Sequence, residues 1–263
     1  MGGAAGGGDD VKLLGTWASP HTLRVRLALR LKGVSYHYVE QDPNKENTTG
    51  ELLLPGKQPV MMIHGGKPVC ESSNILQYID DVFTGVGPDL LPADSYERAA
   101  AQYWADFIDD TLIEAMHKAA WGKTEIEKAE GKNQGAAAVR ALEGALREYS
   151  TPFFGGKAAG YVDVVLASLL PWVQATDALQ GIKTFDPART PLLAAWTDRF
   201  CELKAAQSVM PDVTKVVDFA MAMSLRRSGQ QKMVDGYLGD VLSFPHPVDH
   251  WPFPHDNDTA VIV

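Results

Sequence analysis

Ser19 is the residue of this chain whose type and position most clearly allow chemistry. It is followed by Pro20, and this pair favours the start of a helix. A serine hydroxyl at that point can accept a hydrogen bond from an unpaired backbone N–H, and proline has no N–H to leave unpaired. The hydroxyl could serve only as that helix cap, or it could donate its proton to a bound ligand. The residues alone leave both roles open.

The elements predicted around Ser19 would present its hydroxyl at a ligand site. Apolar residues at 11–14 predict a strand, and leucines at 23, 27 and 31 recur at helical spacing as a buried stripe. Gly33 favours the end of that helix, and alternation over residues 34–39 predicts a second strand. In such a βαβ unit, Ser19 lies at the edge where open α/β sheets bind their ligands.

A hairpin and a further helix complete the predicted sheet region. Residues 58–64 predict a third strand that begins on a proline, Gly65-Gly66 predicts a tight turn, and residues 67–71 predict the antiparallel partner. Ser72 or Ser73 is expected to cap the next helix. The order βαβ and then ββα predicts an α/β domain of the thioredoxin type over residues 11–84.

The rest of the chain predicts an all-helical second domain. Residues 85–94 are rich in Gly and Pro and predict a linker, after which helical periodicity extends over residues 95–227. Asp163 is positioned to form a capping box with Gly160, and Pro171 should kink that helix. Residues 1–10 predict a disordered tail and residues 228–263 an irregular one. Helices are predicted at residues 95–121, 135–149, 160–180, 191–206 and 211–227.

Composition argues against several classes of function. The net charge of −9 leaves no basic surface for nucleic acid, and we see no apolar run that approaches the ~20 residues of a membrane span. The first residues lack the basic and apolar parts of a signal peptide. Cys70 and Cys201 lie far apart, which suits two free thiols in a reducing cytoplasm. The histidines of the last tail lack the rigid spacing of metal ligands, so no metal is predicted.

Seven stretches of the sequence together point to one family. They are Trp17-Ala18-Ser19-Pro20, residues 24–29 with Lys32-Gly33, residues 66–72, Tyr78-Ile79-Asp80, residues 105–109, residues 160–166 and Met210-Pro211-Asp212-Val213. These stretches resemble plant glutathione transferases of the tau class. The resemblance extends over residues 11–227 and implies an N-terminal thioredoxin-like domain, an all-α C-terminal domain and a homodimer. It also implies that Ser19 is the catalytic serine, whose hydroxyl stabilises the thiolate of glutathione.

The resemblance also implies which residues bind glutathione. Glu71 would pair with the γ-glutamyl ammonium group while the helix start at Ser72 receives the adjacent carboxylate. Lysines before the proline would hold the glycyl carboxylate, although the loop over residues 50–62 departs from the family pattern. Pro59 is expected as the cis-proline of the site, and an alternative alignment places Val60 there. The implied glutathione-binding residues are Ser19, Lys45, Lys57, Gln58, Pro59, Glu71 and Ser72.

The implied reaction is conjugation of the glutathione thiolate to hydrophobic electrophilic small molecules, with glutathione as cosubstrate and no cofactor. Two alternatives remain open: a ligand-binding carrier of the same fold with an impaired glutathione site, and a thiol transferase. The second would require Cys at position 19 as its nucleophile, and Ser19 argues against it. The acceptor substrate is expected in an apolar cleft. Its candidate lining residues are Trp17, His21, His117, Trp121 and Trp172.

Overall fold

The computed structural model describes residues 10–41 and 60–227, and for residues 226 and 227 it describes only the backbone. The described residues contain a four-stranded sheet in the order β2-β1-β3-β4. Strand β1 pairs in parallel with β2 and antiparallel with β3, and β3 pairs antiparallel with β4. This small mixed sheet with its helices confirms the thioredoxin-like fold class. The strands are β1 (Val11–Gly15), β2 (His37–Glu40), β3 (Met61–His64) and β4 (Lys67–Cys70).

The first helix, α1 (Pro20–Lys32), begins and ends where the sequence indicates. Ser19 is its N-cap, and Gly33 ends it in the left-handed conformation at φ 72°. Its buried face differs from the predicted leucine stripe, because Leu31 is only partly buried whereas Lys32 is fully buried. Lys32 tolerates this burial because its Nζ lies 2.9 Å from Asp80 Oδ1.

The predicted hairpin is confirmed, and the start of the following helix differs from the prediction. Gly65 and Gly66 make the turn with φ 57° and 74°, which suits a two-residue hairpin. Helix α2 (Ser72–Val82) has Glu71, not Ser72 or Ser73, at its N-cap, and no side chain caps it. The Ser72 hydroxyl instead lies within hydrogen-bond distance of the Arg24 and His21 side chains. The cap prediction is therefore wrong, because side chains from α1 occupy this hydroxyl.

From residue 95 onward the regular elements of the described structure are helices. Their bounds differ from those that the sequence periodicity predicts. The predicted helix over 95–121 is interrupted by a π-helix, Ile108–Ile113, and α5 begins ten residues earlier than predicted because Thr124 caps it. Gly131 permits that extension, because a Cβ there would collide with the backbone of α4. The α-helices are α3 (Ser95–Phe107), α4 (Glu114–Trp121), α5 (Glu125–Tyr149), α6 (Tyr161–Ala167), α7 (Leu170–Gln180), α8 (Pro191–Cys201), α9 (Lys204–Val209) and α10 (Val213–Arg227).

The segment 160–180 forms the centre of the helical region. The capping box is confirmed, since Asp163 Oδ2 accepts from the Gly160 N–H at 2.8 Å. Pro171 stands at the start of α7, where the segment breaks into α6 and α7. Contrary to the sequence expectation, Tyr161–Gln180 is long and apolar enough to cross a membrane by length and composition, yet 67% of that window is buried inside the protein. It has the burial of a core helix.

Buried charges join the sheet to the helical region. The Asp80 carboxylate of α2 pairs with the Lys32 ammonium group and also accepts hydrogen bonds from the backbone N–H groups of Leu90 and Leu91 at 2.8 and 3.0 Å. Leu90 in turn accepts from the Tyr161 N–H at 2.8 Å. Apolar residues of both regions belong to one continuous core. The regions therefore hold a fixed relation that can define a site between them.

Candidate functional site

Ser19 lies at the head of α1 with its hydroxyl proton available. Its Oγ accepts a long hydrogen bond of 3.3 Å from the Thr22 N–H, and its residue is partly exposed. A hydroxyl that accepts in this way can still donate its own proton to another group. The positive end of the helix dipole lies at the same point. This position favours an anion such as a thiolate.

The loop that precedes Ser19 is held by two side chains from distant parts of the chain. Glu40 Oε1 accepts from the Trp17 N–H at 2.9 Å, and Glu40 Oε2 lies 2.7 Å from the Tyr38 hydroxyl. From the opposite region, Trp172 Nε1 donates to the Ala18 carbonyl at 2.8 Å. Burial and the Glu40 carboxylate raise the pKa of Tyr38, which keeps this hydroxyl protonated. The residues directly before Ser19 are thus fixed from both sides.

A second polar cluster surrounds the start of α2. Arg24 is fully buried, pairs with Asp109 of the π-helix through contacts of 2.6 and 3.0 Å, and donates to Ser72 Oγ at 3.2 Å. The bidentate pair with the Asp109 carboxylate neutralises the buried Arg24 charge, and the guanidinium group stays beside the start of α2. Glu71 is exposed and adopts a positive φ of 69°. A carboxylate and a helix N-terminus therefore lie together at this place.

His21 connects the two clusters. Its Nδ1 lies 3.3 Å from Ser72 Oγ, and partial desolvation together with the Arg24 guanidinium lowers the pKa of its imidazole below the ordinary value. A neutral ring is therefore favoured near pH 7. His21 is not among the residues that line the cleft described next, and its ring lies beside Ser72 instead.

A cleft of about 1750 Å³ opens between the head of α1 and helices α4, α5, α7 and α10. Four of the five candidates for the acceptor site, namely Trp17, His117, Trp121 and Trp172, line it together with Ser19. Phe219 of α10 packs edge-on against both Trp17 and Trp172, with ring centroids 5.3 and 6.1 Å apart. An aromatic wall thus faces the serine, which suits a planar apolar ligand.

Several predicted residues lie outside the described part of the chain. Lys45, Lys57, Gln58 and Pro59 belong to residues 42–59, so their roles stay predictions, as does the cis-proline. The tail histidines also lie outside. Among the described residues, no group of three or more His, Cys, Asp or Glu side chains is arranged to hold a metal.

Sequence reasoning missed three polar residues of this site. Asp109 and Arg24 occur in stretches used for the family resemblance, but nothing in their spacing signals that they pair across 85 positions. Glu40 follows a predicted strand, and its contact with the Trp17 N–H spans 23 positions. Their charge did not single them out, because the same elements carry other charged residues such as Arg26 and Asp110. A thioredoxin-like sheet, a helical region and a serine at the head of α1 beside an aromatic cleft are together the features that the resemblance to glutathione transferases implies.

Comparisons with known proteins agree with this class. Family models for the N-terminal and C-terminal domains of glutathione S-transferases match residues 18–82 and 125–199. A probable glutathione S-transferase, GSTU6 of Oryza sativa subsp. japonica, is 43% identical over 228 residues, which cover 82% of this chain and 95% of that protein. The chain belongs to the glutathione S-transferase family.

Two solved structures make the comparison more specific. A tau-class glutathione S-transferase from mango, Mangifera indica, aligns with a TM-score of 0.74 and 36% identity over 81% of this chain and 97% of that one. Rice GST1, solved in complex with glutathione, aligns with a TM-score of 0.72 and 30% identity over 82% and 97% of the two chains. The predicted resemblance to the plant tau class is confirmed, and the chain is a glutathione transferase.

Proposed function

We propose that Ser19 donates a hydrogen bond to the sulfur of bound glutathione and so holds it as the reactive thiolate. The observation that carries this proposal is the Ser19 hydroxyl at the head of α1, which accepts a long bond from Thr22 and borders the cleft. A thiol of pKa ~8.5 is only a few per cent ionised at neutral pH. Lowering that pKa by 2 requires about 2.7 kcal/mol. A hydrogen bond to a charged sulfur supplies ~1.5–3 kcal/mol and a helix start about 0.3–1 more.

The γ-glutamyl end of glutathione would bind at the start of α2. Its carboxylate meets the N-terminus of that helix, and its ammonium group meets the exposed Glu71 carboxylate. Arg24 donates to Ser72 Oγ at 3.2 Å and so fixes this side chain at the start of α2. Lys45 and Lys57 would hold the glycyl carboxylate, while Gln58 and Pro59 would meet the cysteinyl part; these four assignments rest on the resemblance.

The acceptor would be a hydrophobic electrophile in the large cleft. The thiolate forms a carbon–sulfur bond with the electrophilic carbon. In aromatic substitution the leaving group departs as an anion with the electron pair of the broken bond, and in conjugate addition the resulting carbanion takes a proton from water. This is chemistry of the detoxification type. The walls formed by Trp17, Trp172 and Phe219 supply apolar contact beside Ser19. The cleft volume of about 1750 Å³ exceeds the roughly 300–1,000 Å³ typical of small-molecule pockets, so large acceptors fit.

A paired assay tests this function against the carrier alternative. The chain should be retained on glutathione-agarose, be eluted by free glutathione and conjugate glutathione to 1-chloro-2,4-dinitrobenzene. Retention of an apolar dye without glutathione binding or conjugation would contradict the proposal and favour a carrier. Exchange of thiols with a disulfide substrate in place of conjugation would favour a thiol transferase.

We also propose that the protein acts as a homodimer in the cytoplasm. Two tyrosines of α3, Tyr96 and Tyr103, are 83% and 61% exposed and lie seven positions apart on one helix face, which suits a protein interface. Cys70 and Cys201 are free thiols, which suits a reducing compartment. Light scattering should give twice the 28.6 kDa mass of the chain. A monomer mass at micromolar concentration would contradict the dimer.

A further inference from the structure

Residues 16–19 form a four-residue turn that places Ser19 at the head of α1. The Ser19 N–H donates to the Thr16 carbonyl at 3.1 Å and closes this turn, and Trp17 and Ala18 are its two central residues. The dihedral angles of the two central residues set the geometry of such a turn. The position of the Ser19 hydroxyl therefore depends on how Trp17 and Ala18 are held.

Glu40 reaches this turn because of its place in the sheet. In the parallel pairing of β1 with β2, Glu40 lies opposite Gly15, the last residue of β1 before the turn. Its Oε1 accepts from the Trp17 N–H at 2.9 Å. Trp172 of α7 holds the second central residue through the Ala18 carbonyl at 2.8 Å. Glu40 thus holds the first central residue of the turn from the sheet side.

The Glu40 carboxylate is itself held in place by Tyr38. These two residues lie two positions apart on β2 and therefore share a face of the sheet. The Tyr38 hydroxyl lies 2.7 Å from Glu40 Oε2 and 3.1 Å from the Gly15 carbonyl oxygen. The Arg26 guanidinium stacks on the Tyr38 ring, 4.6 Å from its centroid. Because each carboxylate oxygen has its own partner, the rotation of this group is restricted.

The charge of Glu40 does not favour the chemistry of a thiolate. Glu40 lines the same cleft as Ser19, and a carboxylate near a thiol raises the thiol pKa. Lys215 of α10 offsets part of this charge, since its Nζ lies 4.2 Å from the centroid of the Trp17 ring and its charge interacts with that of Glu40. The contribution of Glu40 that can favour the thiolate is therefore the hydrogen bond that it accepts from the turn.

We propose that Glu40 is a positioning residue for the conjugation reaction. By holding the Trp17 N–H, it keeps the turn in the geometry that directs the Ser19 hydroxyl at the sulfur of glutathione. Tyr38 and Arg26 keep the carboxylate in place for this task. Glu40 acts through Ser19 and does not itself contact the sulfur. This inference rests on the proposed function, since it concerns the same hydroxyl.

Ultraviolet titration of glutathione bound to two Glu40 variants tests this inference. Loss of a nearby negative charge alone would lower the thiol pKa, whereas loss of the hydrogen bond to the turn should raise it. Glu40→Ala should therefore raise the thiol pKa by up to about 1 and lower kcat at pH 6.5 by up to about tenfold. The KM for glutathione should change little, because the start of α2 is not part of the turn. A thiol pKa at or below the wild-type value in Glu40→Ala would overturn the proposal.

The conservative variant Glu40→Gln separates the hydrogen bond from the charge. Its amide oxygen can still accept from the Trp17 N–H, so its thiol pKa should equal the wild-type value or lie below it. Tyr38→Phe leaves the carboxylate but removes its second partner, and it should raise the thiol pKa by less than Glu40→Ala does. A rise in Glu40→Gln as large as that in Glu40→Ala would refute the positioning role.

A double variant and a matched control locate the effect. In the Ser19→Ala background, Glu40→Ala should cause no further rise in the thiol pKa, because its effect passes through the missing hydroxyl. The control Glu127→Ala removes a carboxylate that also accepts from a loop N–H, that of Lys123, and that does not line the cleft. This control should leave the thiol pKa unchanged. An equal rise in both backgrounds, or in the control, would refute the assignment.

Amide hydrogen exchange keeps this inference distinct from the proposed function. In the glutathione-free protein, the Trp17 amide should exchange faster in Glu40→Ala than in wild type or in Glu40→Gln, because it loses its acceptor. Unchanged exchange together with an unchanged thiol pKa in Glu40→Ala would refute only the role of Glu40. A wild-type thiol pKa in Ser19→Ala would refute the proposed role of Ser19, and the exchange of Trp17 would still decide whether Glu40 holds the turn.

Discussion

Replacing Ser19 with alanine should raise the pKa of the bound glutathione thiol and leave the fold nearly intact. The substitution removes one hydrogen bond to a charged sulfur, worth ~1.5–3 kcal/mol, so the thiol pKa should rise by about 1 to 2. Because only the thiolate attacks, the rate at pH 6.5 should fall roughly 10- to 100-fold. The loss should become smaller as the pH rises toward the new pKa. A structural defect would lower the rate equally at every pH.

The cost of the same substitution to stability is small. Ser19 Oγ accepts from the Thr22 N–H at 3.3 Å, which is a weak cap, and loss of such a cap costs about 1 kcal/mol. Asp94→Ala is the matched control, since Asp94 Oδ1 caps α3 through the N–H groups of Tyr96 and Glu97 at 3.0 Å, outside the cleft lining. It should lower the melting temperature comparably and leave the thiol pKa unchanged.

The assay is ultraviolet titration of the thiolate absorbance of enzyme-bound glutathione, combined with a pH–rate profile. Ser19→Thr keeps a hydroxyl at the same position and should restore a low thiol pKa. If Ser19→Ala binds glutathione and titrates with the wild-type pKa, the serine does not stabilise the thiolate. In that case another donor at the head of α1 must do so.

Three further perturbations probe the surroundings of Ser19 and the core. Trp172→Phe keeps an aromatic wall but removes the hydrogen bond to the Ala18 carbonyl, so kcat/KM should fall about fivefold. The control Trp104→Phe lies outside the cleft and should change kcat/KM little, and equal effects of the two substitutions would contradict a positioning role for Trp172. The Asp163 carboxylate accepts four hydrogen bonds, from three backbone N–H groups and the Trp196 indole. Asp163→Asn should therefore lower the free energy of unfolding by about 3 kcal/mol or more, and calorimetry should show a Tm lower by roughly 6–12 °C; an unchanged Tm would contradict this. Desolvation and Arg24 lower the pKa of His21 in the folded protein, so its contribution to stability is present above the unfolded pKa near 6.5 and is lost as pH falls through the folded pKa. The Tm of His21→Gln should therefore change less than that of wild type between pH 7 and 5, and parallel plots of Tm against pH would contradict this.

The sequence by itself determined the features that depend on neighbours a few positions apart. The helix start at Ser19-Pro20, the Gly65-Gly66 turn and the Gly160–Asp163 capping box each follow from backbone hydrogen bonding within a short segment. The order of the elements also follows from local periodicity and predicts the thioredoxin-like sheet region. The periodicity missed the π-helix, and it also missed the Thr124 cap that starts α5, although that cap is itself a local signal.

Only the tertiary structure decided which side chains serve Ser19 and Ser72. The Trp172 indole reaches the Ala18 carbonyl across 154 positions, and Arg24 reaches Asp109 across 85. Ser72 looked like a helix cap in the sequence, yet in the fold its hydroxyl lies with Arg24 and His21. Hydrogen bonds and ion pairs form between groups a few ångströms apart in the folded protein. The periodicity of a sequence does not show which distant segments lie that close.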